Sequence, residues 1–163
     1  MDKSLAVVTG GASGIGEGCV RKLAALEYHV VILDRASGDV ERLQEELQSA
    51  GHSVSSAIID VTDATSVSEC AQELLSRFGR VDVLVTSAGV LESSANLLDM
   101  DLAAHDRVWQ INYHGTVHCA RSFGKIMRDE KRGAIVTIGS TTSFVAFPLP
   151  AYCPGKTAIL RLT

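Results

Sequence analysis

The sequence predicts an α/β domain, doubly wound, with a parallel sheet covered by helices on both faces. Three observations carry that expectation. Short apolar runs alternate along the chain with longer segments of helical periodicity. The first run, Leu5-Ala6-Val7-Val8, passes directly into the glycine-rich stretch Thr9-Gly10-Gly11-Ala12-Ser13-Gly14-Ile15-Gly16. The second run ends in a carboxylate, Asp34. A strand, a glycine turn and a helix in that order place unpartnered N–H groups and the positive end of a helix dipole together, which favours a pyrophosphate. In such a sheet the ligand crevice lies at the carboxyl ends of the strands.

The elements follow in order. Glu17 to Leu26 continues from the glycine loop, with Ile15, Cys19 and Leu23 spaced as on one helix face. His29 to Asp34 is a buried strand, and Asp34 at its end suits two hydrogen bonds from an adenosine ribose diol. Ser37 or Asp39 caps the next helix, whose stripe is Val40, Leu43 and Leu47 and whose stop is Gly51. Val54 to Ile59 is a third strand, followed by Asp60-Val61; on the residues alone Asp60 is a capping residue. Thr62 to Phe78 is helical, ended by Gly79, and Val81 to Val85 is a fourth strand that breaks at Thr86-Ser87-Ala88-Gly89. Leu91 to Met100 is irregular. From Asp101 to about Lys131 the pattern is helical, but Asn112 and Gly115 are poor helix formers and predict a kink or a junction. Ala134 to Ile138 is the fifth strand, ending in Gly139-Ser140-Thr141-Thr142-Ser143; a proline-bearing loop then leads to Ala151-Tyr152-Cys153-Pro154-Gly155-Lys156, which opens the last helix.

The 163 residues, 46% of them hydrophobic, suffice for one domain, 1–163, with a real core. Fifteen Lys and Arg stand against 19 Asp and Glu, a net charge of −4. Nucleic acid or an anionic membrane as main partner would reward a basic face, and both are excluded as expectations. No apolar run approaches membrane-spanning length and Met1-Asp2-Lys3-Ser4 enters the first strand directly, so no signal peptide and a cytoplasmic location are expected. The four cysteines form no C-x-x-C and read as free thiols. His114 and His118 share a helical face, but a metal needs a third ligand; the reading is surface or subunit contact, with no metal site.

Tyr152 and Lys156, four apart, share one face of the last helix. A phenol, with an ordinary pKa of about 10, is a poor base at neutral pH unless a nearby ammonium favours the phenolate. The spacing is common in helices; its place downstream of a dinucleotide loop and of a strand-end serine makes it a candidate acid/base pair.

With those residues in view, the chain resembles, in order and over essentially its whole length, the classical short-chain dehydrogenase/reductase family. Thr9–Gly16, a Thr followed by G-x-x-x-G-x-G, is similar to its cofactor loop; Asp34 to its ribose-binding acid; Asp60-Val61 to its adenine-side pair; and Ala88-Gly89 to the close of its Asn-Asn-Ala-Gly motif. Asn112, Ser140, Tyr152 and Lys156 match its catalytic tetrad. The resemblance implies a Rossmann fold, and the strand order expected is 3-2-1-4-5. It implies NAD held by Gly10, Ser13, Gly14, Ile15, Gly16, Asp34, Asp60, Val61, Ser87, Ala88, Gly89, Tyr152 and Lys156. The implied reaction is hydride transfer between that cofactor and a small alcohol or ketone. Tyr152 is the implied acid/base and Ser140 holds the substrate oxygen. Lys156 binds the nicotinamide ribose and tunes the tyrosine, and Asn112 positions a water in a proton relay. NAD is expected over NADP because Asp34 repels a 2′-phosphate and Ser13 leaves the loop without a basic residue; Arg35 pulls the other way. A homodimer or homotetramer is implied as well.

The chain departs from the family at Thr86-Ser87 and Thr137, where asparagines are usual, and at Pro154, which is expected to push Cys153 away from helical angles. Family members also continue beyond the Tyr-x-x-x-Lys motif into a segment that covers the substrate. Two other readings stand beside the enzyme: a non-catalytic dinucleotide-binding or scaffold protein, opposed by the intact tetrad, and an epimerase- or dehydratase-type relative, opposed by the loop spacing.

Overall fold

The computed structural model describes residues 3–92, 96–145 and 147–162. Five strands, β1 (Leu5–Thr9), β2 (His29–Asp34), β3 (Val54–Ile58), β4 (Val83–Thr86) and β5 (Ala134–Thr137), form one sheet in the order β3-β2-β1-β4-β5. Every pairing is parallel. Helices α1 (Gly14–Ala25) and α2 (Ser37–Ser49) cover one face; α3 (Ala64–Phe78) and α5 (Gly115–Asp129) cover the other. The expected doubly wound architecture and strand order are those observed.

The central strand shows why the runs are continuously apolar. All five residues of β1 are buried, and their side chains alternate between two cores. Leu5 and Val7 join Val31 and Leu33 against α3 and α5, while Ala6 and Val8 join Val30 and Ile32 against α1 and α2. Each fully buried branched side chain is worth about 1.5–3 kcal/mol relative to exposure.

Several local readings change. In α1 the innermost residues are Gly16, Val20 and Ala24, so the buried stripe lies one position on from Ile15, Cys19 and Leu23. Cys19 and Leu23 still flank the core, but Ile15 is 63% exposed. Helix α2 begins at Ser37 without a side-chain cap. The segment predicted as one interrupted helix is α4 (Leu102–Trp109), a π-helical turn (Gln110–His114) and α5. The last helix, α6 (Tyr152–Leu162), takes Pro154 within its first turn, and Cys153 remains helical. Pro154 has no N–H to satisfy there, and Cys153 donates to the Leu149 carbonyl at 3.1 Å. Burial pushes the thiols of Cys70 and Cys119 up to about 11 and about 12, so neither ionises near neutrality.

At the sheet end opposite the crevice, Asp82 ties three strands together. Its carboxylate accepts from the Leu5 N–H at 2.8 Å, and its carbonyl accepts from the Ala134 N–H at 2.9 Å. Arg80 and Arg132 pair with the same carboxylate. Burial pushes this carboxyl up, but the Arg80 and Leu5 hydrogen bonds and the two guanidinium charges outweigh it and hold its pKa below the ordinary value. A pKa below the unfolded value of about 3.9 means that the stabilisation is full above roughly pH 4 and is lost as pH falls through the folded pKa. Asp82→Asn should therefore lower stability near neutrality by about 1–3 kcal/mol and flatten the acid limb of stability against pH. Urea midpoints across that range check this; an unchanged acid limb would assign it to other carboxylates.

Candidate active site

The glycine loop between β1 and α1 is shaped by close approach. Gly10 has φ of +63°, and a Cβ on it would lie 2.6 Å from Ala88 Cα. A Cβ on Gly16 would lie 2.0 Å from the Gly10 carbonyl oxygen. The start of α1 is thus seated on the loop, and the loop on the chain leaving β4. Thr9 closes that seam: its Oγ1 accepts from the Ala88 N–H at 3.3 Å and its carbonyl from the Ser87 N–H at 3.2 Å.

A cleft of about 450 Å³ opens over the carboxyl ends of the strands. Gly10, Ser13, Gly14 and Ile15 line it at the α1 N-terminus, and Ser87, Ala88 and Gly89 line it beyond β4. Asp34, Asp60 and Val61 line one end; Tyr152 and Lys156 line it as well, beside Ile138. Gly16, Asn112 and Ser140 do not line it; Gly16 and Asn112 each directly follow a residue that does, Ile15 and Ile111.

The Asp34 carboxylate is oriented by backbone donors: Ala12 N–H at 3.1 Å, Arg35 N–H at 2.7 Å and Ala36 N–H at 3.3 Å. Asp60 accepts from the Thr62 N–H at 2.9 Å and its hydroxyl at 2.8 Å; those bonds, with help from the Arg35 charge, hold its carboxyl below the usual range. The cap of α3 is Asp63, which accepts from Thr65 and Ser66, so Asp60 faces the cleft and is not the helix cap. Val61 is packed from behind by α5. A Cβ on Gly115 would come 2.6 Å from Val61 Cγ2, and His118 Nδ1 lies 3.0 Å from the Val61 carbonyl oxygen. His118, read as a surface residue, is therefore half-buried and supports the cleft wall.

Tyr152 and Lys156 share the inward face of α6. The Lys156 ammonium is buried, donates to the Ile138 carbonyl at 2.7 Å and lies 5.7 Å from the Tyr152 ring centroid. Burial lowers its pKa from the ordinary lysine value. Ser140 caps a short 3-10 turn, its Oγ accepting from the Thr142 N–H at 3.2 Å with Thr142 Oγ1 at 2.9 Å. With Thr142 donating both, the Ser140 hydroxyl keeps its proton for an outside acceptor. Asn112 is completely buried in the π-helical turn. Its Oδ1 accepts from the Val90 N–H at 2.8 Å and its Nδ2 donates to the Val90 carbonyl at 2.9 Å. At the end of β4, buried Thr86 Oγ1 has no hydrogen-bond partner among the described residues, so the Thr-for-Asn departure leaves one anchor unmade.

Glu92 escaped the sequence reading altogether. It is 9% exposed, and its two oxygens accept from the Ala151 and Tyr152 N–H groups, both at 2.8 Å. Its partners lie some sixty positions away, and no local pattern announces them.

The cleft fits a dinucleotide. It has a glycine-walled cradle at a helix N-terminus, a backbone-oriented carboxylate, and exposed apolar side chains, Ile15 and Leu91, that a flat ring system would cover. Among the described residues no cluster of three or more His, Cys, Asp or Glu is placed to hold a metal, and no helix is long and apolar enough to cross a membrane.

Comparison with known proteins agrees with this geometry. The short chain dehydrogenase family profile matches residues 4–163, and the chain belongs to that family. It is 35% identical over 166 residues to galactitol 2-dehydrogenase of Rhizobium johnstonii, covering 100% of this chain and 64% of that protein. The crystal structure of gox2181 superposes with a TM-score of 0.95 at 33% identity, over 99% of this chain and 64% of that one. A metagenomic short-chain oxidoreductase in complex with NADP superposes at 0.92, with 31% identity over 98% of this chain and 72% of that one.

Proposed function

We propose that this protein is an NAD(H)-dependent oxidoreductase that interconverts a small-molecule alcohol and its carbonyl compound. The observation that carries the reading is one cleft lined at once by the glycine loop, by Asp34 and by the Tyr152–Lys156 pair. Membership of a dehydrogenase family and likeness to galactitol 2-dehydrogenase support it. When bound, the nicotinamide supplies the exchange of hydride with the substrate carbon. The residues do the rest. The loop N–H groups and α1 hold the pyrophosphate, and Asp34 receives the adenosine ribose hydroxyls. Ser140 donates to the substrate oxygen, and Tyr152 gives or takes the proton at that oxygen. Lys156 supplies a buried positive charge beside the phenol and a donor for the nicotinamide ribose. Appearance of NADH absorbance over a panel of secondary alcohols, polyols included, tests the reading; cofactor binding without turnover would point to the scaffold alternative.

Cofactor choice rests on Asp34. Its three backbone bonds keep the carboxylate at the cleft edge, where a 2′-phosphate meets a like charge. Two unit charges about 4 Å apart interact by about 4 kcal/mol near a protein surface. Arg35, which lines the same cleft, pulls the other way, but among the described residues no backbone bond fixes its charge as three fix that of Asp34. NADH should bind at least about tenfold tighter than NADPH. Fluorescence titration with both cofactors checks this, and tighter NADPH binding would overturn the role given to Asp34.

A further inference from the structure

The proposed chemistry needs the phenol of Tyr152 and the ammonium of Lys156 held at fixed places relative to the dinucleotide. Tyr152 opens the first turn of α6 and Lys156 the second, so the placement of that first turn sets both. All donors of that turn are accounted for: Cys153 bonds to Leu149, Pro154 has none, Gly155 bonds to Ala151, and the Ala151 and Tyr152 N–H groups bond to Glu92. Glu92 thus ties this turn to the chain that leaves β4. It sits two residues past Val90, which the buried Asn112 amide grips at both its N–H and its carbonyl. The connection runs from Asn112 through the strap 90–92 to the backbone of Tyr152. A carboxylate at a helix N-terminus is favoured by the dipole, and bonds with one charged partner are roughly twice as strong as neutral ones.

We propose that Glu92 is a positioning residue for the catalytic helix: it fixes the first turn of α6, and with it Tyr152 and Lys156, against the nicotinamide end of the cleft. This rests on the dinucleotide-binding reading above. A side chain that only stabilises the fold would affect both ends of the cleft alike, whereas a positioning residue acts at the α6 end alone.

Binding of two probes separates these. Adenosine diphosphate reaches the loop and Asp34 only; NAD also reaches Tyr152 and Lys156. Glu92→Gln keeps the side-chain length but sets an amide NH2 against one of the two N–H donors. It should weaken NAD about tenfold and leave adenosine diphosphate within about twofold. Turnover per NAD-binding site should also fall about tenfold at saturating cofactor. Where Glu92→Gln melts below the assay temperature, Glu92→Asp, which keeps both oxygens on a shorter arm, should show the same split at smaller size. Equal weakening of both probes, or no change in either, would overturn the proposal. If the unaltered chain binds both probes but oxidises no alcohol, the enzyme reading falls while the split still decides Glu92. If it binds neither, both fall together.

Discussion

Tyr152→Phe should lose about 10²–10⁴-fold in turnover, the range that a positioned general acid or base contributes. The substitution keeps the ring and its packing and removes only the transferable proton. Tyr152 is half-buried, and its backbone N–H, the group that Glu92 accepts from, is untouched by the change. Melting temperature and NAD affinity should therefore stay close to those of the unaltered chain, so that the loss falls in the chemical step. NADH formation at saturating cofactor and substrate measures it. A variant that kept near-normal turnover would make Tyr152 a packing residue and would remove the proton donor from the mechanism.

Gly16→Ala should unfold or loosen the cofactor loop, whereas Gly18→Ala, two positions on in the same helix, should stabilise. A Cβ at position 16 would stand 2.0 Å from the Gly10 carbonyl oxygen and 2.7 Å from its carbon, both backbone atoms that cannot step aside. A Cβ at position 18 meets nothing within 4 Å. Overpacking of this kind costs about 1–3 kcal/mol, and the backbone contact places Gly16→Ala at the top of that range. At about 2–4 °C per kcal/mol for a chain of this size, the melting temperature should drop by several degrees, and NAD affinity should fall with it. In an exposed helix interior, alanine in place of glycine is worth about 1 kcal/mol in the other direction. Thermal melts of the two variants side by side decide the matter; equal shifts of the same sign would mean that the loop is not seated on α1 as described.

How far the sequence was legible depended on whether a residue's partner was near in the chain. The strands were plain because residues such as Val30, Val31 and Ile32 are buried on both sheet faces, which demands unbroken apolar runs. The stripe of α1 was misread by one position because its innermost residue is a glycine, whose fit comes from having no side chain and so carries no hydrophobic signal. Ile15 misled in the opposite sense, being apolar yet left open to the cleft. Asn112 and Gly115 announced the interruption between α4 and α5, since neither suits a helix. What Asn112 bonds to was not legible, because Val90 lies 22 positions away. Glu92 was hidden for the same reason, and Asp63 rather than Asp60 caps α3 because Asp63 directly precedes the helix and accepts from Thr65 and Ser66, whereas Asp60 is held by Thr62 ahead of it.

The π-helical turn at Gln110–His114 has a consequence for insertion and deletion. A π turn holds one residue more than the α turn it interrupts, and each helical residue advances the chain by about 100° and about 1.5 Å. Deleting a single residue there would let the whole of 102–129 wind as one regular helix. Because the π turn already takes up its extra residue within one wide turn, α5 would keep nearly its present phase, and Phe123 and Ile126 would stay toward the sheet. What the deletion removes is the wide turn that seats Asn112 against Val90. A residue added or deleted in the regular turns on either side has no such absorber and would swing α5 by about 100°. One-residue length differences in related chains should accordingly fall at this turn rather than within α4 or α5.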